Sequence, residues 1–223
     1  MKTGGTSLNN MFINLSLGTK KEDLYSKLMH SPDLRIINNG WIYTAWNHLI
    51  VSSGLYHYAW SHRPLYKTYL SGNTFKITCI RHPYFRIFSR YKHISKEKQL
   101  GQLVDGNKKE YSRLGSSFSE YLSNCPVTEL CHQLYMFSST MNIEEGLKNL
   151  SKMDYIIDLD TFEEDIGHIN KILAIELKVI HKRKNNELIL PDLESSYTHI
   201  SEKLKPELEF YYKAKELKNN HIN

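Results

Sequence analysis

The stretch Phe75–His93, FKITCIRHPYFRIFSRYKH, decides the fold of this chain. Its first part, Lys76–Ile80, is short and rich in β-branched residues, which predicts a buried strand. Pro83 cannot extend the strand, but it suits the first turn of a helix, where its missing N–H is no loss. From Tyr84 to Lys92, bulky apolar residues recur at helical spacing. The stretch is therefore predicted to form a strand, a tight turn and a helix.

Two polar side chains of this element are candidates for binding an anion. Arg81 stands at the carboxyl end of the predicted strand, the edge of an open α/β sheet where ligands bind, and its guanidinium fork suits a phosphate. Ser89 lies two helical turns further on, so an anion held by both residues would lie beside the helix. A surface ion pair for Arg81 and a solvent-facing Ser89 would explain the same stretch without a ligand.

The amino-terminal stretch Met1–Leu8, MKTGGTSL, contains a second candidate for phosphate binding. Two adjacent glycines let backbone N–H groups converge on an anion. The apolar residues that follow have helical spacing, which would place a phosphate at a helix N-terminus. The lysine precedes the glycines, so the stretch is not a Walker motif. The side chains that add charge or hydroxyl donors are Lys2, Thr6 and Ser7.

Together the two stretches resemble the donor-binding motifs of sulfotransferases. Lys2–Leu8 is similar to the loop P-K-T-G-G-T-S-L, which holds the 5′-phosphosulfate in that family. Arg81 and Ser89, eight positions apart, resemble its 3′-phosphate-binding element. The resemblance extends from Lys2 to about Lys215, and it points to the branch with uronyl and heparan 2-O-sulfotransferases and bacterial glycan sulfotransferases. In the family a hydrophobic strand and a proline precede the lysine. Met1 stands here instead, so we expect either that this strand is missing or that the true start lies upstream.

The resemblance implies an α/β fold of three layers, a P-loop-like nucleotide-binding fold with a mostly parallel central sheet and a helical C-terminal region. Residues 1–223 are expected to form a single domain, which suits the length of the chain. The co-substrate would be 3′-phosphoadenosine 5′-phosphosulfate (PAPS), without a metal, and the reaction would be in-line transfer of a sulfo group to a carbohydrate hydroxyl. Lys2 would also act in catalysis, by neutralising charge on the leaving phosphate. The residues implied to bind the co-substrate are Lys2, Thr3, Gly4, Gly5, Thr6, Ser7, Leu8, Arg81, Ser89, Arg183 and Lys184.

Sulfuryl transfer to an alcohol also needs a base, and histidine titrates in the right range. His57 is the candidate because its place, 24 residues before Arg81, resembles that of the histidine in the uronyl enzymes. His62 is the alternative, and a histidine hydrogen-bonded in the core or at the surface would explain His57 equally well. Gln133 falls where relatives often have a glutamine near the acceptor site.

Composition limits the classes of partner. The net charge of +5 and a sequence pI near 8.9 fit a polyanionic co-substrate or an acidic polysaccharide. The charges are interspersed, which argues against nucleic acid. An odd count of three cysteines predicts reduced thiols and a cytoplasmic location. No apolar run is long enough to span a membrane, although an upstream segment would allow a Golgi-luminal or membrane-associated protein. Oligomeric state is not encoded in any recognisable pattern.

The rest of the chain is predicted to alternate between helices and strands. An exposed loop is expected over Ile94–Arg113 because the segment is mostly polar. Near the C-terminus, one helix is expected over Ser196–Leu204, and Pro206 is expected to begin another. The remaining predicted strands are Leu34–Ile37 and Asp154–Leu159, and the remaining predicted helices are Lys21–His30, Phe118–Asn124, Val127–Ser138, Ile143–Leu150 and one beginning after Thr161.

Two other functions are compatible with these motifs. A nucleotide- or glycan-binding protein on the same fold would bind these ligands without catalysis. A small-molecule kinase with an unusual phosphate loop would need ATP and Mg²⁺, and no carboxylate is placed by the sequence to hold the metal. Turnover with a panel of glycans would exclude a binding protein without catalysis. A comparison of ATP with PAPS in a thermal-shift assay would distinguish a kinase from a sulfotransferase.

Overall fold

The computed structural model describes residues 3–15, 24, 27, 28, 35–45, 48–102, 104–180 and 196–222. Within them the chain is α/β, as predicted, and forms two compact units. The sheet unit contains the described residues of Gly4–Cys79 and Asn149–Lys184. The helical unit contains the described residues of Ile80–Lys148 and Asn185–Asn223, together with Thr3. A single domain over the whole chain stays a prediction.

The described residues contain ten helices and five strands, apart from short 3₁₀ turns. The strands are β1 (Arg35–Asn38), β2 (Trp41–Ala45), β3 (Tyr58–Trp60), β4 (Ile77–Ile80) and β5 (Tyr155–Asp158). The helices are α1 (Gly5–Ile13), α2 (His48–Ser53), α3 (Pro83–Gln99), α4 (Lys108–Tyr111), α5 (Phe118–Asn124), α6 (Val127–Leu130), α7 (His132–Phe137), α8 (Ile143–Leu150), α9 (Phe162–Leu173) and α10 (Ser201–Ile222).

The sheet unit contains two small sheets. β1 and β2 form an antiparallel hairpin, and β3 pairs in parallel with β2. The hairpin turns at Asn39 and Gly40, whose φ angles of 47° and 79° match the two-residue turns that suit the twist of paired strands. β4 and β5 form a two-stranded sheet, and all four residues of β5 are buried. One mostly parallel central sheet in three layers stays a prediction.

The core of the sheet unit joins α1 to the second sheet. Its buried residues come from α1, β5 and α9, with Leu177 after α9, so these three elements pack as one cluster. A separate cluster lies between the end of α1 and the three-stranded sheet. The first cluster contains Leu8, Met11, Phe12, Tyr155, Ile157, Phe162, Ile166, Ile169 and Leu177. This packing fixes α1, which carries the predicted phosphate loop at its start.

The helical unit is organised around α3. Ile87 and Ile94 on its buried face pack with Tyr121 and Leu122 of α5, and with Leu204 of α10. α10 also packs on α6 and α7. The helix that contains the predicted anion-binding Ser89 is therefore held on several sides by apolar contacts.

Two sequence-based expectations need correction. α3 extends to Gln99 and α4 covers Lys108–Tyr111, so much of the segment predicted as an exposed loop is helical. The reason is that Ile94 and Tyr111 are buried, with 0% and 8% exposure. Pro206 does not begin a helix but lies inside α10. The two strands β2 and β3 were not predicted, and the predicted helix at Lys21–His30 lies largely outside the described residues.

Candidate active site

The segment around Gly4 has the backbone geometry expected for binding an anion. Gly4 is left-handed, with φ 85° and ψ −5°, immediately before α1. The amides of Ser7 and Leu8 donate to the Gly4 carbonyl oxygen at 2.9 and 3.1 Å. The amides of Gly5 and Thr6 precede these bonds and lie at the positive end of the helix dipole. This end of α1 can therefore offer two main-chain donors to a phosphate or sulfonate.

α1 is fixed in the sheet unit by its buried face and by Tyr58 of β3. Leu8, Met11 and Phe12 are buried in the core. The Tyr58 hydroxyl donates to Oδ1 of Asn9 at 2.8 Å, and its ring stacks on Phe12 with centroids 4.1 Å apart. Because these contacts anchor the helix along its length, the donors at its N-terminus are held in a defined position.

The segment that follows β5 supports the same loop. The carboxylate of Asp165, a buried residue of α9, accepts hydrogen bonds from the amide of Asp158 at 2.8 Å and from the hydroxyls of Tyr155 and Thr161, each at 3.0 Å. Leu159 lies inside the segment held by these bonds and faces Gly4. By accepting these three hydrogen bonds, Asp165 stabilises the segment after β5. We assign Asp165 no chemical role.

Arg81 and Ser89 lie in the predicted strand–turn–helix element. Arg81 directly follows β4, and His82 has an extended backbone, φ −50° and ψ 127°, as expected for a residue before proline. Pro83 is the first residue of α3, as predicted. Ser89 lies in the interior of α3, about 9 Å from its start at ~1.5 Å per residue, and is half-buried. The two residues are thus on adjoining parts of one strand–turn–helix element.

The main chain of Arg81 is hydrogen-bonded to the side chain of Gln133 on α7. The Arg81 amide donates to Oε1 at 2.8 Å, and Nε2 donates to the Arg81 carbonyl oxygen at 2.9 Å. The two residues are 52 positions apart. No sequence pattern signals this contact, and the resemblance associates Gln133 only with the acceptor.

A buried ion pair lies on the other side of Gln133. Arg86 Nη2 is 3.1 Å from Oε1 of Glu207, and these side chains are 5% and 0% exposed. Arg86 also donates to the carbonyl oxygens of Glu129 and Leu130. Opposite charges and hydrogen bonds compensate each other here, so the buried Arg86 guanidinium contributes to the packing of the unit.

His57 lies directly before β3 and is hydrogen-bonded to β2 through both its main chain and its ring. Its amide donates to the Ile42 carbonyl oxygen at 2.8 Å, and the Ile42 amide donates to the ring Nδ1 at 3.0 Å. A neutral ring that accepts at Nδ1 carries its hydrogen on Nε2. In this arrangement the ring can take up a proton only at Nδ1, after the Ile42 amide has moved away.

His57 lies at the surface beside an aromatic side chain. The residue is exposed, and its ring lies 5.3 Å from the ring of Trp41. His62, the alternative base, is exposed in the segment that follows β3. The Trp41 ring therefore lies beside an exposed histidine.

The thiol nearest to Arg81 in sequence is not a nucleophile. Cys79 lies in β4, and burial, with a smaller contribution from the charge of Asp165, raises the pKa of its thiol to about 12. The thiolate is the nucleophilic form of cysteine, so this side chain stays protonated at neutral pH. All three cysteines are free, as the sequence predicts.

Three predicted site residues, Lys2, Arg183 and Lys184, lie outside the described residues. Thr3 is described and is buried, with 8% exposure. Within the described ranges, no group of three histidine, cysteine, aspartate or glutamate side chains is arranged to hold a metal ion. In the same ranges, no helix combines the length and apolar character needed to cross a bilayer.

Comparison with known proteins identifies the family. The family model described as "Sulfotransferase family" matches residues 2–216, nearly the whole chain. Comparisons with curated protein sequences and with solved structures gave no significant match. The matched span includes both the Gly4 loop before α1 and the β4–Arg81–α3 element. The chain therefore belongs to the sulfotransferase family, whose members transfer sulfo groups.

Proposed function

We propose that this protein transfers the sulfo group of PAPS to a hydroxyl of a carbohydrate. The observation that carries the proposal is the left-handed Gly4 immediately before α1, with the amides of Gly5 and Thr6 at the helix N-terminus. This geometry lies within the motif Lys2–Leu8, in a chain of the sulfotransferase family. It supports a phosphosulfate ligand because amide donors and the helix dipole both favour an anion.

The proposed reaction is an in-line displacement at sulfur. The acceptor oxygen forms a bond to sulfur while the bond from sulfur to the bridging oxygen of the 5′-phosphate breaks. Adenosine 3′,5′-bisphosphate leaves, and the acceptor proton passes to a base. Lys2 neutralises the charge that develops on the bridging oxygen. In this proposal the amides and hydroxyls of Gly4, Gly5, Thr6 and Ser7 hold the 5′-phosphate and the sulfonate.

The 3′-phosphate is the second anchor of the co-substrate in this proposal. The Arg81 guanidinium would form charge-assisted hydrogen bonds with it, and the Ser89 hydroxyl would add a donor. By resemblance, Arg183 and Lys184 would close over the same group. Anchoring both ends of the nucleotide fixes the sulfonate against the acceptor, and such positioning supplies much of the rate in transfers of this type.

The base in the proposal is His57, with His62 as the alternative. Its exposure suits a substrate that arrives from solvent, and proton uptake uses Nδ1 once the Ile42 amide has separated from it. The neighbouring Trp41 ring supports a carbohydrate acceptor, because aromatic faces pack well against sugar rings. The net charge of +5 favours acceptors that carry negative charge.

Calorimetry with adenosine 3′,5′-bisphosphate tests the nucleotide part of the proposal. Arg81→Ala should weaken binding about 10- to 100-fold, because a charge-assisted hydrogen bond is worth roughly 1.5–3 kcal/mol. Arg63→Ala, which removes an exposed arginine of the sheet unit, is the matched control and should leave affinity unchanged. Equal affinity in the wild type and in Arg81→Ala would remove Arg81 from the site.

Transfer of labelled sulfate tests the activity itself. PAPS should label a glycan in the presence of the wild-type protein, with no requirement for added metal. Stabilisation by ATP and Mg²⁺ but not by PAPS in a thermal-shift assay would support a kinase instead. Binding of PAPS without turnover over a broad glycan panel would support a binding protein.

A further inference from the structure

The side chain of Gln133 forms hydrogen bonds with both main-chain polar groups of Arg81, as a residue of a neighbouring strand does. Its amide accepts from the Arg81 N–H at 2.8 Å and donates to the Arg81 carbonyl oxygen at 2.9 Å, closing a ring of two hydrogen bonds. Paired strands hold each other's main chain in this way. Gln133 is 4% exposed, so water competes little for these bonds. The peptide orientation at Arg81 is thereby fixed at the point where β4 ends.

Glu207 of α10 fixes the orientation of the Gln133 amide. Its Oε1 accepts the second Nε2 hydrogen of Gln133 at 3.2 Å and the Gln133 main-chain amide at 3.0 Å. Its Oε2 accepts from the Leu134 amide at 2.9 Å. A flipped amide would turn its oxygen toward this carboxylate, which is unfavourable. The Gln133 oxygen therefore points at the Arg81 amide, and the Arg86 guanidinium balances the charge of Glu207.

The two hydrogen bonds between Gln133 and the Arg81 main chain determine the position and direction of the Arg81 Cα–Cβ bond. The direction of a Cα–Cβ bond follows from the main-chain orientation, and a long side chain amplifies a small rotation at its base. A displacement of about 1 Å at a binding group can reduce catalysis about 100-fold. A guanidinium that must meet a phosphate with its planar fork is sensitive to such an error.

We propose that Gln133 is a positioning residue that sets the discrimination in favour of the nucleotide 3′-phosphate by fixing the main chain of Arg81. The inference rests on the proposed function, because it assumes that Arg81 contacts that phosphate. It assigns Gln133 to donor recognition, in addition to any role toward the acceptor. A purely structural Gln133 would stabilise the helical unit without affecting which nucleotide binds.

The test is the ratio of two affinities, those for adenosine 3′,5′-bisphosphate and for adenosine 5′-phosphate, measured by calorimetry. This ratio isolates the contribution of the 3′-phosphate. Gln133→Met keeps the length of the side chain without its hydrogen bonds and should lower the ratio about tenfold or more. Ser138→Ala is the matched control, because Ser138 is equally buried in the helical unit but bonds to Asn142 and Glu145. It should leave the ratio unchanged.

A double substitution shows whether Gln133 acts through Arg81. In an Arg81→Ala background, Gln133→Met should have no further effect on the ratio, because the group that it positions is gone. Independent, additive losses would overturn the inference. The inference would also be overturned if the wild type binds the bisphosphate more tightly than the monophosphate and Gln133→Met leaves this ratio unchanged. If the wild type binds the bisphosphate no better than the monophosphate, the proposed function itself fails.

A measurement on the wild-type protein covers the case in which Gln133→Met does not fold. Hydrogen exchange of the Arg81 amide should be at least about 100-fold slower than in an unfolded chain, because its hydrogen bond must open first. Exchange at the unprotected rate would mean that the Gln133 contact does not hold the main chain, and the inference would be rejected.

Discussion

Leu159 lies so close to Gly4 that a Cβ atom added to Gly4 would be 2.9 Å from the Leu159 Cδ1 atom. The same glycine has a φ of 85°, a conformation that residues with side chains rarely adopt. Two independent constraints therefore require glycine at this position of the loop before α1. Gly5, its neighbour, has no heavy atom within 4 Å of the corresponding position.

Gly4→Ala should lower the free energy of unfolding by about 1–3 kcal/mol, because the left-handed backbone is unfavourable for alanine and Leu159 must move. It should also weaken the binding of adenosine 3′,5′-bisphosphate. Urea unfolding and calorimetry measure the two effects. Gly5→Ala is the control and should change the unfolding free energy by no more than about 0.5 kcal/mol. Equal stability of both variants would contradict the geometry described for Gly4.

Local patterns were sufficient to predict much of the fold. The strand at Ile77–Ile80, the helix that begins at Pro83 and the helix at Phe118–Asn124 are confirmed. β-branched residues mark the strand, and the two helices begin at Pro83 and directly after Ser117. The pairing of β3 with β2 was not predictable in this way. Tyr58 lies opposite Tyr43, and nothing near either residue specifies a partner so distant in sequence.

The candidate site residues also differ in whether a local sequence pattern could identify them. Gly4 and the Arg81–Ser89 element were identified because their spacing is a local motif. The contact of Gln133 with Arg81 depends on tertiary packing over 52 positions. The prediction that Pro206 begins a helix was wrong, because Pro206 lies inside α10. Leu204 and Glu207 are buried on either side of it, and their contacts offset the hydrogen bond that the proline cannot donate.

His57→Asn should abolish most of the sulfo transfer while leaving the fold and the affinity for adenosine 3′,5′-bisphosphate intact. The asparagine oxygen can accept the Ile42 amide in place of Nδ1, but it cannot take up a proton. A lost general base typically reduces the rate about 10²- to 10⁴-fold. Transfer of labelled sulfate measures this loss. His62→Asn is the matched variant, and if it alone loses activity, His62 is the base.

Glu207→Gln should lower the free energy of unfolding by about 3–5 kcal/mol, because it leaves the Arg86 guanidinium buried without its counter-charge. Urea unfolding monitored by circular dichroism measures the change. Lys213→Gln is the control: Lys213 pairs with Glu144 and Glu209 at the surface, at 3.3 and 3.0 Å, and its loss should have no measurable effect. A Glu207→Gln variant as stable as the wild type would contradict the role given to this pair.

The three thiols should make the protein less stable at alkaline pH. Burial is the main cause that raises the pKa of Cys125 to about 11 and those of Cys79 and Cys131 to about 12, from an ordinary value of 9.0. Because the folded state holds these protons more tightly than the unfolded state, the stabilisation is fully present below about pH 9. It is lost progressively as the pH rises from about 9 to 12.

Unfolding by urea at pH 8 and at pH 10.5 should therefore show a loss of roughly 1–2 kcal/mol per thiol at the higher pH, by the linkage between pKa and stability. Buried tyrosines contribute in the same direction, since burial also raises the pKa of Tyr121, Tyr155 and Tyr197. A variant with all three cysteines replaced by alanine separates the two contributions. This variant should lose less stability between the two pH values than the wild type. An equal loss in both proteins would show that the thiols ionise as freely in the folded state as in the unfolded state.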